Sequence, residues 1–273
     1  MPSKTSPEVQ TLSLGKLTIP FIEHGSPDGR PPFVLYNGIS MNEDHWGRLP
    51  EELGRHVFAI GIAKGDSSLS LPTIGHYAHY MDRATREIAG EEYDALGLSW
   101  GGLLVQKLQT GMRKRVIAAS MPATPYAYCN VPDPRAMRVV MSTKRRPEAA
   151  GILYGGDVRR NPALVEELHI DRQIDMLRHA RQQFAAFTSG TLIAEAMVDK
   201  AFHRAGPETL VMAGTDDPLM RYGAVRKGAE WLGARLHTEV EGGHGFLLTR
   251  PEASAEAINT FLDGSVSSFS RTA

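Results

Sequence analysis

The chain of 273 residues contains a single cysteine, Cys129. One thiol cannot close an intramolecular disulfide, so the fold has to hold without covalent staples, and a reducing compartment such as the cytoplasm suits it. An isolated cysteine is read as a small packing residue rather than a nucleophile. An excess of charge is also missing. Thirty Lys and Arg face 31 Asp and Glu, for a formal net charge of −1 and a pI near 6.8. That balance argues against a basic surface for nucleic acid or an anionic membrane. Long apolar runs are lacking, and nothing approaches the ~20 residues that a membrane-spanning helix needs. The opening Met1-Pro2-Ser3-Lys4-Thr5-Ser6 has no apolar signal core. No internal repeat or low-complexity block stands out. The expectation is a soluble cytoplasmic protein with no nucleic-acid partner and no membrane span.

What the chain does have is an ordinary globular composition, 42% hydrophobic and 22% charged, and enough length to bury a full core. Short apolar runs alternate with amphipathic stretches. Strands are expected at Thr18–Glu23, Pro32–Tyr36, His56–Ile60, Asp94–Gly97, Arg115–Ala119, Thr209–Ala213 and, last, His237–Val240. Helical spacing covers 75–90, 101–110, 223–233 and 252–262. Strand followed by helix, repeated, predicts an α/β fold with a mostly parallel sheet covered on both faces. The repeat breaks at about 123–206, a stretch with helical spacing at Pro162–Arg172 and Gln173–Phe187. It reads as a helical cap inserted over one end of the sheet, leaving 1–122 and 207–263 as the core. Its basic runs, Lys144-Arg145-Arg146 and Arg159-Arg160, read as a solvated face. The serine-rich tail, 264–273, is expected to be disordered.

The stretch GLSWGG, residues 97–102, has the form Gly-x-Ser-x-Gly. After a strand and before a helix, this pattern makes a nucleophile elbow, in which a sharp turn holds the serine hydroxyl exposed. Side chains at 97 and 101 would collide across such a turn, which explains Gly97 and Gly101. A serine nucleophile needs a base, and the base needs an orienting acid. On an α/β sheet they follow in the order serine, acid, histidine. Leu210-Val211-Met212-Ala213-Gly214-Thr215-Asp216-Asp217-Pro218 is a strand running into an acidic turn, and a glycine-flanked His244 follows the next strand. Both stand at carboxyl ends of strands, where parallel sheets place their sites. Asp217, three residues after Gly214, is taken as the acid and Asp216 as its alternative; an aspartate before proline is otherwise a turn former. Two N–H donors must meet the oxyanion. Trp100 supplies one, and the loop Asn37-Gly38-Ile39-Ser40 the other, through Ile39 or, as second choice, Ser40. No metal is expected: His76 and His79 share a helical spacing but lack a third ligand.

GLSWGG, LVMAGTDDPL and EGGHGFLLTRPE resemble the α/β-hydrolases, and within them the intracellular poly(3-hydroxyalkanoate) depolymerase-like branch. The resemblance extends to FVLYNGIS and to ILYGGDVRRNPAL in the insertion, so that it spans roughly 30–262. It implies an α/β-hydrolase fold with a cap and a triad of Ser99, Asp217 and His244. It also implies hydrolysis of hydroxyalkanoate-type esters through an acyl-enzyme, with no cofactor. Two departures flank the site. The loop after His56–Ile60 reads Gly61-Ile62-Ala63-Lys64-Gly65-Asp66 in place of an aspartate and a Pro-Gly pair, and the helix after the elbow is clipped near Gln109–Lys114. They bear on the substrate rather than on the triad.

The partner is therefore a small-molecule or oligomeric ester. The pocket is expected to be apolar, lined by Met121, Tyr126, Phe184, Phe187, Met220 and Phe246, each of which could equally be core. The alternatives are a thioesterase, a lactonase or a tailoring hydrolase or acyltransferase for a small metabolite, and a ligand-binding protein that keeps the scaffold without turnover.

Overall fold

The computed structural model describes residues 8–38, 41–65, 74–108, 113–120, 135, 139, 146–168, 208–264 and 270–271. Ten strands form one sheet: β1 (Gln10–Leu14), β2 (Leu17–His24), β3 (Phe33–Tyr36), β4 (Val57–Ile60), β5 (Lys64–Gly65), β6 (Tyr93–Leu98), β7 (Arg113–Ala119), β8 (Glu208–Gly214), β9 (Arg235–Glu239) and β10 (Ser270–Arg271). Their order is β1-β2-β4-β3-β6-β7-β8-β9-β10, with β5 on β2. From β4 to β9 every neighbour is parallel, while β1, β2, β5 and β10 pair antiparallel at the margins. The expected α/β-hydrolase layout is therefore present.

A parallel strand buried on both faces reads as a continuous apolar run, and alternate residues then serve opposite layers. In β3, Phe33 and Leu35 face one layer while Val34 and Tyr36 face the other. Helices α1 (Leu49–Leu53) and α9 (Pro251–Leu262) cover the first face, placing Leu49, Leu53, Ile258 and Phe261 against Leu96, Ile117 and Leu210. The second face carries α2 (Ile74–Ala89), α3 (Trp100–Lys107) and α7 (Tyr222–Leu232). On α2 the buried residues Tyr77, Ala78, Met81 and Ala84 recur at helical spacing, which is why this segment coils instead of extending.

Between 123 and 206, α4 (Arg146–Tyr154), α5 (Gly156–Arg160) and α6 (Ala163–Glu167) are described. Ala149, Ala150, Tyr154, Val158 and Leu168 join the same apolar cluster as the sheet's first face. Residues 146–168 thus share the main core. The helix expected at Gln173–Phe187 lies outside the described residues.

Beyond Gly264, two residues are described. Ser270 and Arg271 pair antiparallel with Leu236 and Arg235, so β9 is not the last strand. An open edge at β9 would leave a row of unpaired N–H and C=O groups, and a short strand satisfies some of them. Among the described residues no helix is long and apolar enough to cross a membrane.

Candidate active site

β6 ends at Leu98 and α3 begins at Trp100, leaving Ser99 alone to reverse the chain. Its φ of 56° and ψ of −120° lie where L-residues rarely go, so the conformation is imposed by its surroundings. Two close approaches impose it. A Cβ on Gly97 would stand 1.9 Å from the Gly101 carbonyl oxygen, and one on Gly101 would stand 2.2 Å from that of Tyr36. The Ser99 N–H donates to the Ala119 carbonyl at 2.9 Å, while the Ser99 carbonyl accepts from the Gly102 N–H at 2.8 Å. Ser99 is half-buried, with its neighbours in β6 fully covered.

The loop after β3 lies against this serine, since a Cβ on Gly38 would be 3.5 Å from the Ser99 Cβ. Asn37 is buried and uses both ends of its amide. Its Oδ1 accepts from the Trp46 indole N–H at 2.6 Å, and its Nδ2 donates to the Met41 carbonyl at 3.3 Å. These bonds fix where the loop leaves the sheet. Ile39 and Ser40, the two expected oxyanion donors of this loop, lie outside the described residues. Trp100, the first residue of α3, has a backbone N–H with no intrahelical acceptor, as at every helix start. Its ring meets Tyr77 edge-on at 4.9 Å. The Tyr77 hydroxyl accepts from the Ala63 N–H at 3.2 Å, and burial pushes its phenol up to about 12 against the opposing effect of that bond.

Asp217 and His244 meet at the ends of β8 and β9. Asp217 Oδ2 and His244 Nδ1 are 2.8 Å apart, and the other carboxylate oxygen accepts from the N–H groups of Leu219, at 2.8 Å, and Met220, at 2.9 Å. Both residues are buried. Asp216, the alternative acid, is exposed; its N–H donates to the Gly242 carbonyl, and among the described residues its carboxylate accepts a hydrogen bond only from the Thr215 hydroxyl, at 3.4 Å. The structure therefore joins His244 to Asp217.

Ser120, which the sequence reading did not single out, connects the two halves of the site. It follows β7 with a φ of 64°, is fully buried, and donates its hydroxyl to the His244 carbonyl at 3.1 Å. It also directly follows Ala119, whose carbonyl holds the Ser99 N–H. Its only sequence signal is a serine at a strand end, which is too common to flag.

Two of the residues expected either to line the pocket or to be core are described, and both are buried. Phe246 is 0% exposed within the core on the first face, and Met220 is 3% exposed against Leu103, Val211 and Val225. Met121, Tyr126, Phe184 and Phe187 lie outside the described residues. A separate cleft of about 300 Å³ is bounded by Arg48, Asp157, Arg160, Asn161 and Glu252, and none of Ser99, Asp217 or His244 lines it. Its arginines are already paired, Arg48 with Glu52 and Glu252 and Arg160 with Asp157.

The model of the alpha/beta hydrolase family matches residues 24–257. A poly(3-hydroxyalkanoate) depolymerase of Ectopseudomonas oleovorans is 29% identical over 251 residues, covering 86% of each chain. Among solved structures, the esterase RhEst1 from Rhodococcus sp. ECU1013 superposes with a TM-score of 0.76 at 18% identity, over 95% of this chain and 99% of that one. The carboxylesterase CesB of Bacillus subtilis gives 0.72 at 16% identity, over 96% and 94%.

Proposed function

Because the chain belongs to the alpha/beta hydrolase family, we propose that it is a serine esterase that cleaves hydroxyalkanoate-type esters through an acyl-enzyme. One observation carries the reading. His244, held at 2.8 Å by a carboxylate that two backbone N–H groups fix in place, shares one end of the sheet with a serine in a strained left-handed turn. A carboxylate on Nδ1 keeps the proton there and leaves Nε2 free to accept one.

His244 Nε2 takes the Ser99 proton as Oγ attacks the ester carbonyl. The oxyanion forms against the backbone N–H groups of Trp100 and Ile39, the two donors that such an intermediate requires. Collapse breaks the ester C–O bond, and the leaving alkoxide takes the proton from His244. Water then attacks the acyl-enzyme, giving its proton to the same nitrogen, and the second collapse returns that proton to Ser99 and frees the acid. In this reading 1–122 and 207–263 form the catalytic core, and 123–206 the cap over the acyl pocket. The choice of hydroxyalkanoate substrates rests on the depolymerase relative and on the motifs of this sequence that resemble the depolymerase-like branch.

The test is hydrolysis of p-nitrophenyl esters of rising chain length beside hydroxyalkanoate oligomers, with Ser99→Ala as the control. Serine-dependent turnover that favours hydroxyacyl substrates supports the reading. Serine-dependent turnover of simple esters alone keeps the mechanism and moves the substrate to small metabolites, where thioesters and lactones come next. Full activity in Ser99→Ala removes Ser99 as the nucleophile.

A further inference from the structure

The loop that carries His244 begins at Val240, after β9, and runs to Gly245, with glycine at 242, 243 and 245. Three glycines in six residues make it the least constrained segment of the site. Neighbouring backbone and side chains come too close for a Cβ at these positions. A Cβ on Gly243 would stand 2.7 Å from the Gly155 nitrogen, and one on Gly245 would stand 2.6 Å from the Tyr154 ring. The Gly245 N–H donates to the Leu153 carbonyl at 2.8 Å. The end of α4 thus lies directly on the outer side of the histidine loop, while Ser120 holds its inner side.

Arg250, at the junction of α8 (Phe246–Thr249) and α9, ties the loop's base to this part of the insertion. Its Nη1 donates to Glu239 Oε1 at 2.7 Å and to the Val240 carbonyl at 2.5 Å, and its Nη2 donates to the Glu241 carbonyl at 3.0 Å. On the opposite side, Nε and Nη2 make a two-pronged contact with the Asp157 carboxylate on α5, at 3.0 Å each. Asp157 also accepts from the Thr249 hydroxyl and from Arg160, both at 2.8 Å, and Arg160 reaches Glu241 at 3.4 Å. Burial pushes the Asp157 carboxyl up, but the hydrogen bonds from Arg250, Arg160 and Thr249 outweigh it and leave the carboxyl below its ordinary range. The guanidinium therefore bridges the start of the His244 loop and the insertion at once, a geometry suited to its planar fork.

We propose that Arg250 and Asp157 are positioning residues for catalysis, locking the His244 loop and the 153–160 segment of the insertion into one rigid unit. It follows that this segment is a buttress for the base and not the moving part of a lid. The role rests on the esterase reading above. Its physical basis is that a displacement of the base by about 1 Å can cost 10²-fold in rate, which a glycine-rich loop cannot prevent unaided.

The experiment compares Arg250→Gln, Arg250→Lys and Asp157→Asn with the unsubstituted protein in three measurements. Active serine is titrated with a fluorophosphonate, kcat and KM for a p-nitrophenyl ester are taken per titrated site, and the downfield proton resonance of His244 Nδ1–H is recorded by NMR. The expected result is a fall in kcat of roughly tenfold or more in Arg250→Gln and Asp157→Asn, with KM within about twofold. Arg250→Lys falls in between, because one ammonium cannot span both sides of the bridge. The downfield resonance broadens or shifts in step. Unchanged kcat per titrated site with an unmoved resonance overturns the proposal, and a lowered unfolding midpoint alone then leaves these residues merely structural. If Ser99 of the unsubstituted protein takes no fluorophosphonate, it is the esterase reading that fails. The resonance still reports whether the clamp holds His244 on Asp217.

Discussion

Replacing Asp217 by asparagine changes one oxygen of a carboxylate into an NH₂ group, and the surroundings dictate which oxygen is lost. One oxygen accepts from Leu219 N–H and Met220 N–H, and the other faces His244 Nδ1. If the amide keeps its oxygen on the two N–H groups, its NH₂ points at Nδ1, which must then accept. The neutral ring carries its proton on Nε2, the nitrogen that has to receive the proton of Ser99. The opposite orientation restores a working ring but turns NH₂ toward two donors, leaving both without an acceptor. Each such loss costs about 1–3 kcal/mol, so the unproductive orientation is favoured by about 2–6 kcal/mol. At 1.36 kcal/mol per decade this corresponds to a fall in kcat between about thirtyfold and 10⁴-fold. The upper end matches the loss of about 10⁴ that this exchange produces in a Ser-His-Asp triad elsewhere. The variant keeps its volume and both backbone bonds, so its thermal unfolding midpoint should stay within a few degrees. The assay is ester hydrolysis per active serine beside a melting curve, with Asp216→Asn in parallel. Asp217→Asn retaining more than a third of kcat would refute the argument, and a large loss in Asp216→Asn would assign the acid to the exposed neighbour.

Two further outcomes follow from the scaffold. Gly97→Ala places a methyl 1.9 Å from backbone that cannot step aside, so it should destabilise the protein by about 1–3 kcal/mol and abolish fluorophosphonate labelling of Ser99. Gly223→Ala, in the open space of α7, should be neutral or stabilising, and urea unfolding with labelling at normal rate in both variants would contradict the elbow geometry. Tyr77 ionises more readily unfolded than folded, because burial raises its folded value to about 12 from 10.0. Its contribution to stability is complete below pH 10 and is lost as pH rises through 12, by about 2 kcal/mol. Tyr77→Phe should therefore gain about that much over the unsubstituted protein between pH 9 and pH 12 in denaturant titrations, and an unchanged difference would show that the ring is not held as described.

The strands and helices legible in the sequence were those whose own residues carry the period. β3 and β4 are unbroken apolar runs, and β6 and β8 are mostly apolar, because both faces of a parallel strand are buried. Helices α2, α7 and α9 announce themselves by apolar residues at three- and four-residue spacing. The elements that escaped were short or marginal. β1 is mostly exposed, α1 and α8 have five and four residues, and β5 and β10 are two-residue pairings that exist because a neighbouring strand offers an edge.

The same division runs through the site. Sequence by itself determined that a serine would sit between glycines at a strand end, that an acid and a histidine would follow in order, and that two aspartates competed for one role. These are local requirements, written in residue types at fixed spacing. Only tertiary structure decided between Asp216 and Asp217, because the choice depends on which carboxylate finds backbone N–H groups and the histidine ring on the buried side. It alone chose core over pocket wall as the surroundings of Met220 and Phe246, two readings the sequence left open, and it alone brought Ser120, Asp157 and Arg250 to the loop of His244. Asp157 lies 93 residues from Arg250, and no local pattern encodes a contact across that distance. Chemistry that needs one turn of chain is readable from the chain; chemistry that needs a histidine held still from several sides depends on where the sheet ends and what packs on it.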